Sequence, residues 1–261
     1  MCQRREMSVA VAYASFAESD KKVAIVTIDR PEALNALTWS MLQQLAAAFR
    51  DIDATASAVI LTGKGRSFSA GIDLTAASEV FTRDESEKIH DVVWQMERCE
   101  VPIIGAINGA AITAGFEIAL ACDMLVATRD AFFADTHCKF GIMPGWGLSV
   151  KLPRLVGINR AREAAFTSRR IPAQEAFEWG LVNHLCDSSE DMLDKAMALA
   201  KAMSRNDPDL VKKYRGVLVE GYGTSYEEAR EHERRKAWEH YRQHMDFAKI
   251  RSKFEKRRSK L

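Results

Sequence analysis

Cysteine is scarce in this chain and never occurs as C-x-x-C. The five residues (Cys2, Cys99, Cys122, Cys138, Cys186) are odd in number and scattered. That pattern excludes a disulfide frame and a zinc site and points to a reducing compartment. Charge of one sign is also lacking: 37 Lys and Arg face 36 Asp and Glu, a formal net charge of +1. So even a balance leaves no electrostatic footprint for a nucleic-acid partner. No signal peptide is expected, because the opening MCQRREMSVA has no hydrophobic stretch.

Familiar catalytic signatures are absent as well. There is no G-x-S-x-G elbow, no G-K-[ST] and no H-E-x-x-H. Gly63-Lys64-Gly65-Arg66 starts like a dinucleotide turn, but Phe68 stands where a third glycine is needed. His240 and His244 are four residues apart in a charged stretch without a third ligand, so no metal site is expected. Repeats, low-complexity segments and linkers are not seen.

What is present is an ordinary globular composition. The chain has 261 residues, 47% hydrophobic and 28% charged, enough for one large domain with a sizeable core. Strands are expected at Val23–Asp29, Ala58–Thr62, Pro102–Ile107 and Asp123–Thr128, with a short one within Leu181–Cys186. Helices are expected at Trp39–Ile52, Glu85–Cys99 and Gly115–Cys122. Nearly all-apolar strands alternating with helices predict a parallel sheet covered on both faces. From Trp146 onward the pattern turns helical, and the last third is rich in Lys, Arg and Glu.

The run from Val101 to Cys122 contains one charged residue, Glu117. Its length mimics a membrane span, but Pro102, the Asn108-Gly109 bend and the carboxylate favour strand, turn and helix. A carboxylate among apolar neighbours is costly to keep ionised. Beside free backbone N–H groups it is equipped for enolate or acyl chemistry, although a structural ion pair would look the same. Two glycine-containing turns sharpen the first reading: Ser67–Leu74 (SFSAGIDL) after one strand, and Gly109–Glu117 (GAAITAGFE) after the next. Neighbouring parallel strands would bring both turns together at their C-terminal ends, where α/β sheets bind ligands.

These residues resemble the enoyl-CoA hydratase/isomerase (crotonase) family over almost the whole chain. The resemblance rests on Arg30–Leu37 (RPEALNAL), Ser67–Leu74, Ile107–Asp123, and Phe140-Gly141-Ile142 through Pro144-Gly145. It is similar to the monofunctional peroxisomal branch of plant type, which shares ITAGFE, the Asp135-Thr136-His137 stretch and an S-K-L end. The resemblance implies an α/β crotonase-type spiral of ββα units over residues 1–188. It also implies a helical C-terminal trimerisation region, 189–261, and assembly as homotrimers or homohexamers.

The implied activity is hydration of 2-enoyl-CoA to 3-hydroxyacyl-CoA. No cofactor is expected beyond the coenzyme A of the acyl-CoA thioester itself. Ile72 and Ala114 would supply the oxyanion N–H groups and Glu117 the general acid/base. Ala33, Ser69, Ala70, Gly71, Ile72, Asp73, Leu74 and Ala114 fall where the family grips its substrate. His137 stands where the hydratases carry a second glutamate. Glu117 therefore works alone, or His137 orients the water or serves as partner acid–base, with Asp135 the runner-up. The alternatives are a 3-enoyl-CoA to 2-enoyl-CoA isomerase and a non-catalytic acyl-CoA-binding member.

The last three residues, Ser259-Lys260-Leu261, read as a peroxisomal address recognised by an import receptor, in a basic context of Lys253, Lys256, Arg257 and Arg258. The localisation expected is therefore the peroxisome, without a membrane anchor.

Overall fold

The computed structural model describes residues 8–16, 20–52, 54–82, 88–244 and 251. Ser259-Lys260-Leu261 and the basic residues just before them lie outside this range, as does the start of the helix expected at 85–99. The chain divides into two compact units, residues 1–212 and 213–261.

The first unit opens with β1 (Val9–Ser15), β2 (Lys22–Ile28), α1 (Trp39–Arg50), β3 (Ala56–Gly63), β4 (Ser67–Ser69) and α2 (Ala77–Phe81). Next come α3 (Val92–Arg98), β5 (Ile103–Ile107), β6 (Ala110–Ile112), α4 (Ala114–Leu120), β7 (Met124–Thr128), β8 (Phe132–Ala134) and α5 (His137–Phe140). After α5 follow α6 (Leu148–Val156), α7 (Ile158–Thr167), β9 (Arg170–Pro172), α8 (Ala173–Glu178), β10 (His184–Cys186) and α9 (Ser189–Ser204). The helices α10 (Pro208–Tyr222) and α11 (Tyr226–His244) carry the chain into the second unit.

Two sheets form, ordered β1-β2-β3-β5-β7-β10 and β4-β6-β8-β9. Successive pairs (β3 and β4, β5 and β6, β7 and β8) each give one strand to the large sheet and the next to the small one. This stepwise shift is the turn of the spiral. β2, β3, β5, β7 and β10 run parallel, and β1 is an antiparallel edge on β2. The expected single parallel sheet is thus two sheets. The small sheet's strands have three residues each, too few for a period-2 signal to stand out from the adjoining turns.

β3 is buried at all eight positions, because apolar layers cover both faces of the large sheet. One layer is the main core, built from Leu42, Leu45, Phe49, Leu61, Ile107, Phe116 and their neighbours. The other is Val23, Ile60, Ile104 and Val126 under Met192, Ala196 and Ala200 of α9. α9 therefore packs on the large sheet and belongs to the first compact unit. Each fully buried large apolar side chain contributes roughly 1.5–3 kcal/mol. α1 matches its expectation closely, starting where the Thr38 hydroxyl accepts the Met41 N–H at 3.3 Å. The helix expected at 85–99 begins later, at Val92. There the Asp91 carboxylate caps the Trp94 N–H at 2.9 Å, after a 3-10 turn over Lys88–His90.

Candidate active site

The two glycine turns meet. β3 and β5 are parallel neighbours, with Val59 opposite Ile103 and Thr62 opposite Ala106, and β4 lies parallel to β6 beyond them. Gly71 adopts φ +93, and a Cβ there would lie 2.9 Å from the Ile112 carbonyl oxygen and 3.5 Å from the Ala114 nitrogen. Gly115 is pressed more tightly, since its Cβ would come 2.5 Å from the Ser69 carbonyl oxygen. Only glycine lets these backbones approach so closely.

Two N–H groups are left over at this junction. Leu37 bridges Ile72 in parallel fashion, taking the Gly71 oxygen at 2.8 Å and the Asp73 N–H at 2.9 Å. Alternation along an extended segment then turns the Ile72 N–H the other way. Ala114 is the first residue of α4, where N–H groups have no intrahelical acceptor. Among the described residues neither N–H has a hydrogen-bond partner. Thr113, just before, holds φ 52 and ψ −111, a conformation rare for any residue with a Cβ.

The turn Arg30–Leu37 holds this arrangement from behind. Asn35 is fully buried; its amide donates to the carbonyls of Lys64 (3.0 Å) and Ser67 (2.7 Å), and its oxygen accepts the Arg30 N–H at 2.9 Å. Asn108 does the same from the second turn, donating to Gly65 at 2.7 Å. Asp73 is bound by Arg30 at 2.6 Å and by the Thr75 hydroxyl at 2.6 Å. The Thr75 hydroxyl and the Arg30 guanidinium together pull its carboxyl down to about 2.

Glu117 lies one turn into α4, 3% exposed. Its Oε1 accepts the backbone N–H of Trp146 at 2.8 Å. Its Oε2 faces His137 Nε2 at 3.6 Å, an ion-pair distance too long for a good hydrogen bond. His137 is 4% exposed, and Asp135 Oδ1 takes both its Nδ1 (2.7 Å) and its backbone N–H (3.1 Å). Burial pulls the imidazole down. The hydrogen bond to Asp135 and the Glu117 carboxylate opposite outweigh that, and it is pushed up to about 9. At neutral pH the ring is therefore an imidazolium between two acidic side chains.

The remaining expected residues divide. Ile72, Ala114, Glu117 and His137 are joined through the contacts above, with Gly71 at the junction of the turns. Ser69 is fully buried and its hydroxyl is committed to the Asn35 carbonyl (2.9 Å) and the Gly71 N–H (3.2 Å), so only its backbone is left for a ligand. Ala33 closes the 3-10 turn Pro31–Ala33, and Ala70 donates its N–H to the Leu34 carbonyl at 3.0 Å. Asp73 is occupied by Arg30 and Thr75, and Leu74 is largely exposed. Sequence reasoning missed the Trp146 N–H, because a backbone group leaves no residue-type signal. It also missed Asn35 as a buried tie, although a lone Asn inside an apolar-rich turn was visible. Next to Trp146 in the chain, a Cβ on Gly145 would meet none of the described residues within 4 Å. Among the described residues no group of three or more His, Cys, Asp or Glu is arranged to hold a metal ion. No helix there is long and apolar enough to cross a membrane.

Paired strands stepping between two sheets, with glycine turns facing each other across them, define the class: a ββα spiral of crotonase type. The chain belongs to the enoyl-CoA hydratase/isomerase family, whose model matches residues 18–260. It is 51% identical over 201 residues to the "Probable enoyl-CoA hydratase 1, peroxisomal" of Arabidopsis thaliana, covering 76% of each chain. It is 38% identical over 211 residues to the short-chain-enoyl-CoA hydratase of Clostridium acetobutylicum, covering 78% of this chain and 80% of that one. Among solved structures, an enoyl-CoA hydratase from Bacillus anthracis superposes with a TM-score of 0.81 at 29% identity, covering 96% of each chain.

Proposed function

We propose that this chain hydrates 2-enoyl-CoA thioesters to 3-hydroxyacyl-CoA, with Glu117 as the base and His137 as the acid. The observation that carries the reading is the pair of unpartnered N–H groups, Ile72 and Ala114, beside the buried Glu117–His137 pair. Named hydratases among its relatives support the same activity, and the isomerase alternative is not favoured.

The chemistry follows from the charges. A water between Oε2 of Glu117 and Nε2 of His137 loses a proton to the carboxylate as its oxygen attacks C3 of the enoyl group. The C2=C3 electron pair moves toward the thioester, and the Ile72 and Ala114 N–H groups hold the oxygen as it becomes an enolate. One such donor is worth about 10²–10³ in rate. The His137 imidazolium then protonates C2 and the enolate collapses to the thioester. Glu117 is left protonated and His137 neutral, and one proton crossing between them restores both. No electrons leave the substrate, so the reading calls for nothing beyond its coenzyme A.

The backbone of Ala33, Ser69, Ala70, Gly71, Ile72, Asp73 and Leu74 is the proposed grip on the thioester. The C-terminal region is the proposed trimerisation element, in a homotrimer or homohexamer. A peroxisomal location is proposed on the Ser259-Lys260-Leu261 stretch, through an import receptor, and on the name of the Arabidopsis relative.

The decisive experiment follows loss of the conjugated enoyl-thioester absorbance with short and long 2-enoyl-CoAs, and runs 3-enoyl-CoA in parallel. Turnover of the 2-enoyl thioesters is expected. Binding without turnover would make the chain an acyl-CoA-binding member, and turnover of 3-enoyl-CoA alone would make it an isomerase. Deleting Leu261 from a fluorescent fusion is expected to leave the protein in the cytosol.

A further inference from the structure

We infer that Asp135 is the positioning residue of this site, fixing the His137 ring so that Nδ1 donates to Asp135 and Nε2 is the atom turned to Glu117. The inference rests on the hydratase reading for its consequence in catalysis, but its geometry stands apart from it.

Asp135 is buried, 3% exposed, and one of its oxygens accepts twice from the same residue, the His137 ring at 2.7 Å and the His137 backbone N–H at 3.1 Å. The oxygen that accepts the backbone N–H is acting as an acceptor, so the ring nitrogen facing it carries the proton. The second ring nitrogen is then the one whose proton comes and goes. A ring turned over would present Cδ2–H to Asp135 and lose the 2.7 Å bond, which in a buried site is a heavy loss.

The turn bearing both residues is itself pinned to the oxyanion turn. The Ala134 carbonyl accepts the Thr113 N–H at 2.9 Å, and the Thr136 and Thr113 hydroxyls are hydrogen-bonded to each other. Residue 113 immediately precedes Ala114, so the ring's height above α4 is set by the same backbone that offers the N–H group.

The charged groups facing the ring are Asp135 from its own turn and Glu117 from α4; Asp91, at the start of α3, lies near enough to feel the charge of Glu117. Glu117 has a reaction to perform and changes charge during it. Asp135 does not, and so supplies a constant anchor for the imidazolium through the cycle.

The test uses full-length protein labelled with ¹⁵N in the histidine rings, together with the pH profile of 2-enoyl-CoA hydration. In the wild type the His137 spectrum should show Nδ1 protonated on both sides of its titration. In Asp135→Asn, which keeps the shape and removes the charge, the ring's midpoint and the alkaline limb of kcat should fall together by about one pH unit or more. KM should stay within about twofold, because no contact to the thioester is removed. Asp135→Glu should return the limb toward the wild-type position.

An unchanged midpoint and limb in Asp135→Asn would overturn the inference. If that variant does not fold, the wild-type spectrum decides alone: an Nε2-protonated neutral ring at high pH overturns the assignment. Should the wild type hydrate nothing while Asp135→Asn still lowers the His137 midpoint, the hydratase reading fails and the role of Asp135 stands.

Discussion

The backbone N–H of Trp146 meets Oε1 of Glu117 at 2.8 Å, so one carboxylate oxygen is fixed and the other alone is turned toward His137. A carboxylate that could rotate would present either oxygen to the substrate at random. Here the loop after α5 selects one, and the oxygen proposed to accept the proton is set by the fold.

Glu117→Gln tests that atom directly. The amide oxygen can keep the Trp146 N–H, so the fold and melting temperature should hold. The loss of a basic oxygen should lower kcat by ~10²–10⁴-fold. Single-turnover absorbance measurements with saturating thioester check this, and a variant with wild-type kcat would remove Glu117 from the mechanism.

The His137 ring makes stability depend on pH. Its pKa is about 9 in the folded chain, against about 6.5 when unfolded. The ion pairs it forms therefore stabilise the fold fully below about pH 6.5, and that contribution is lost as pH rises through about 9. Thermal melts across this interval should show the melting temperature falling in the wild type. In His137→Gln the slope over the same interval should be flatter.

Asn35→Ala should destabilise the chain by about 1–3 kcal/mol, since it removes the bonds of a fully buried amide to the Ser67 and Lys64 carbonyls and the Arg30 N–H. Urea midpoints measure the loss. Activity should fall too, because the turn carrying Gly71 hangs on Leu34 and Leu37 next to it in the chain.

Gly115→Ala places a methyl group 2.5 Å from the Ser69 carbonyl oxygen, with backbone rather than a flexible side chain in the way. Overpacking of this kind costs about 1–3 kcal/mol. Calorimetry should show a lower melting temperature, and hydration should drop further than for a stability effect alone, because the Ala114 N–H must move with the helix.

Much of this was legible in the sequence, for reasons that differ by element. The buried strands β3, β5 and β7 announce themselves as apolar runs, and α1 by its cap and its helical spacing of Leu42, Leu45 and Phe49. The small-sheet strands did not, because Ser67–Ser69 and Ala110–Ile112 are too short to show a period and carry glycine on either side. In the site, Glu117 stood out as a charge in an apolar run. The partnership of Asp135 with His137 could not be read the same way: a residue two positions away in a turn faces its neighbour only when the backbone bends it there. The Trp146 N–H lies 29 residues from Glu117 and is joined to it by the fold alone.

The glycines around the site divide it into a closed side and an open one. At Gly71 and Gly115 an added Cβ strikes backbone, whereas one on Gly145 meets nothing among the described residues. Inherited variation is thus channelled: the junction carrying the proposed oxyanion N–H groups takes no added atom, and Gly145, beside Trp146 in the chain, has room for one. A descendant of this chain that takes up a new reaction would keep the proposed enolate-holding junction and change what is delivered to the carbons beside it.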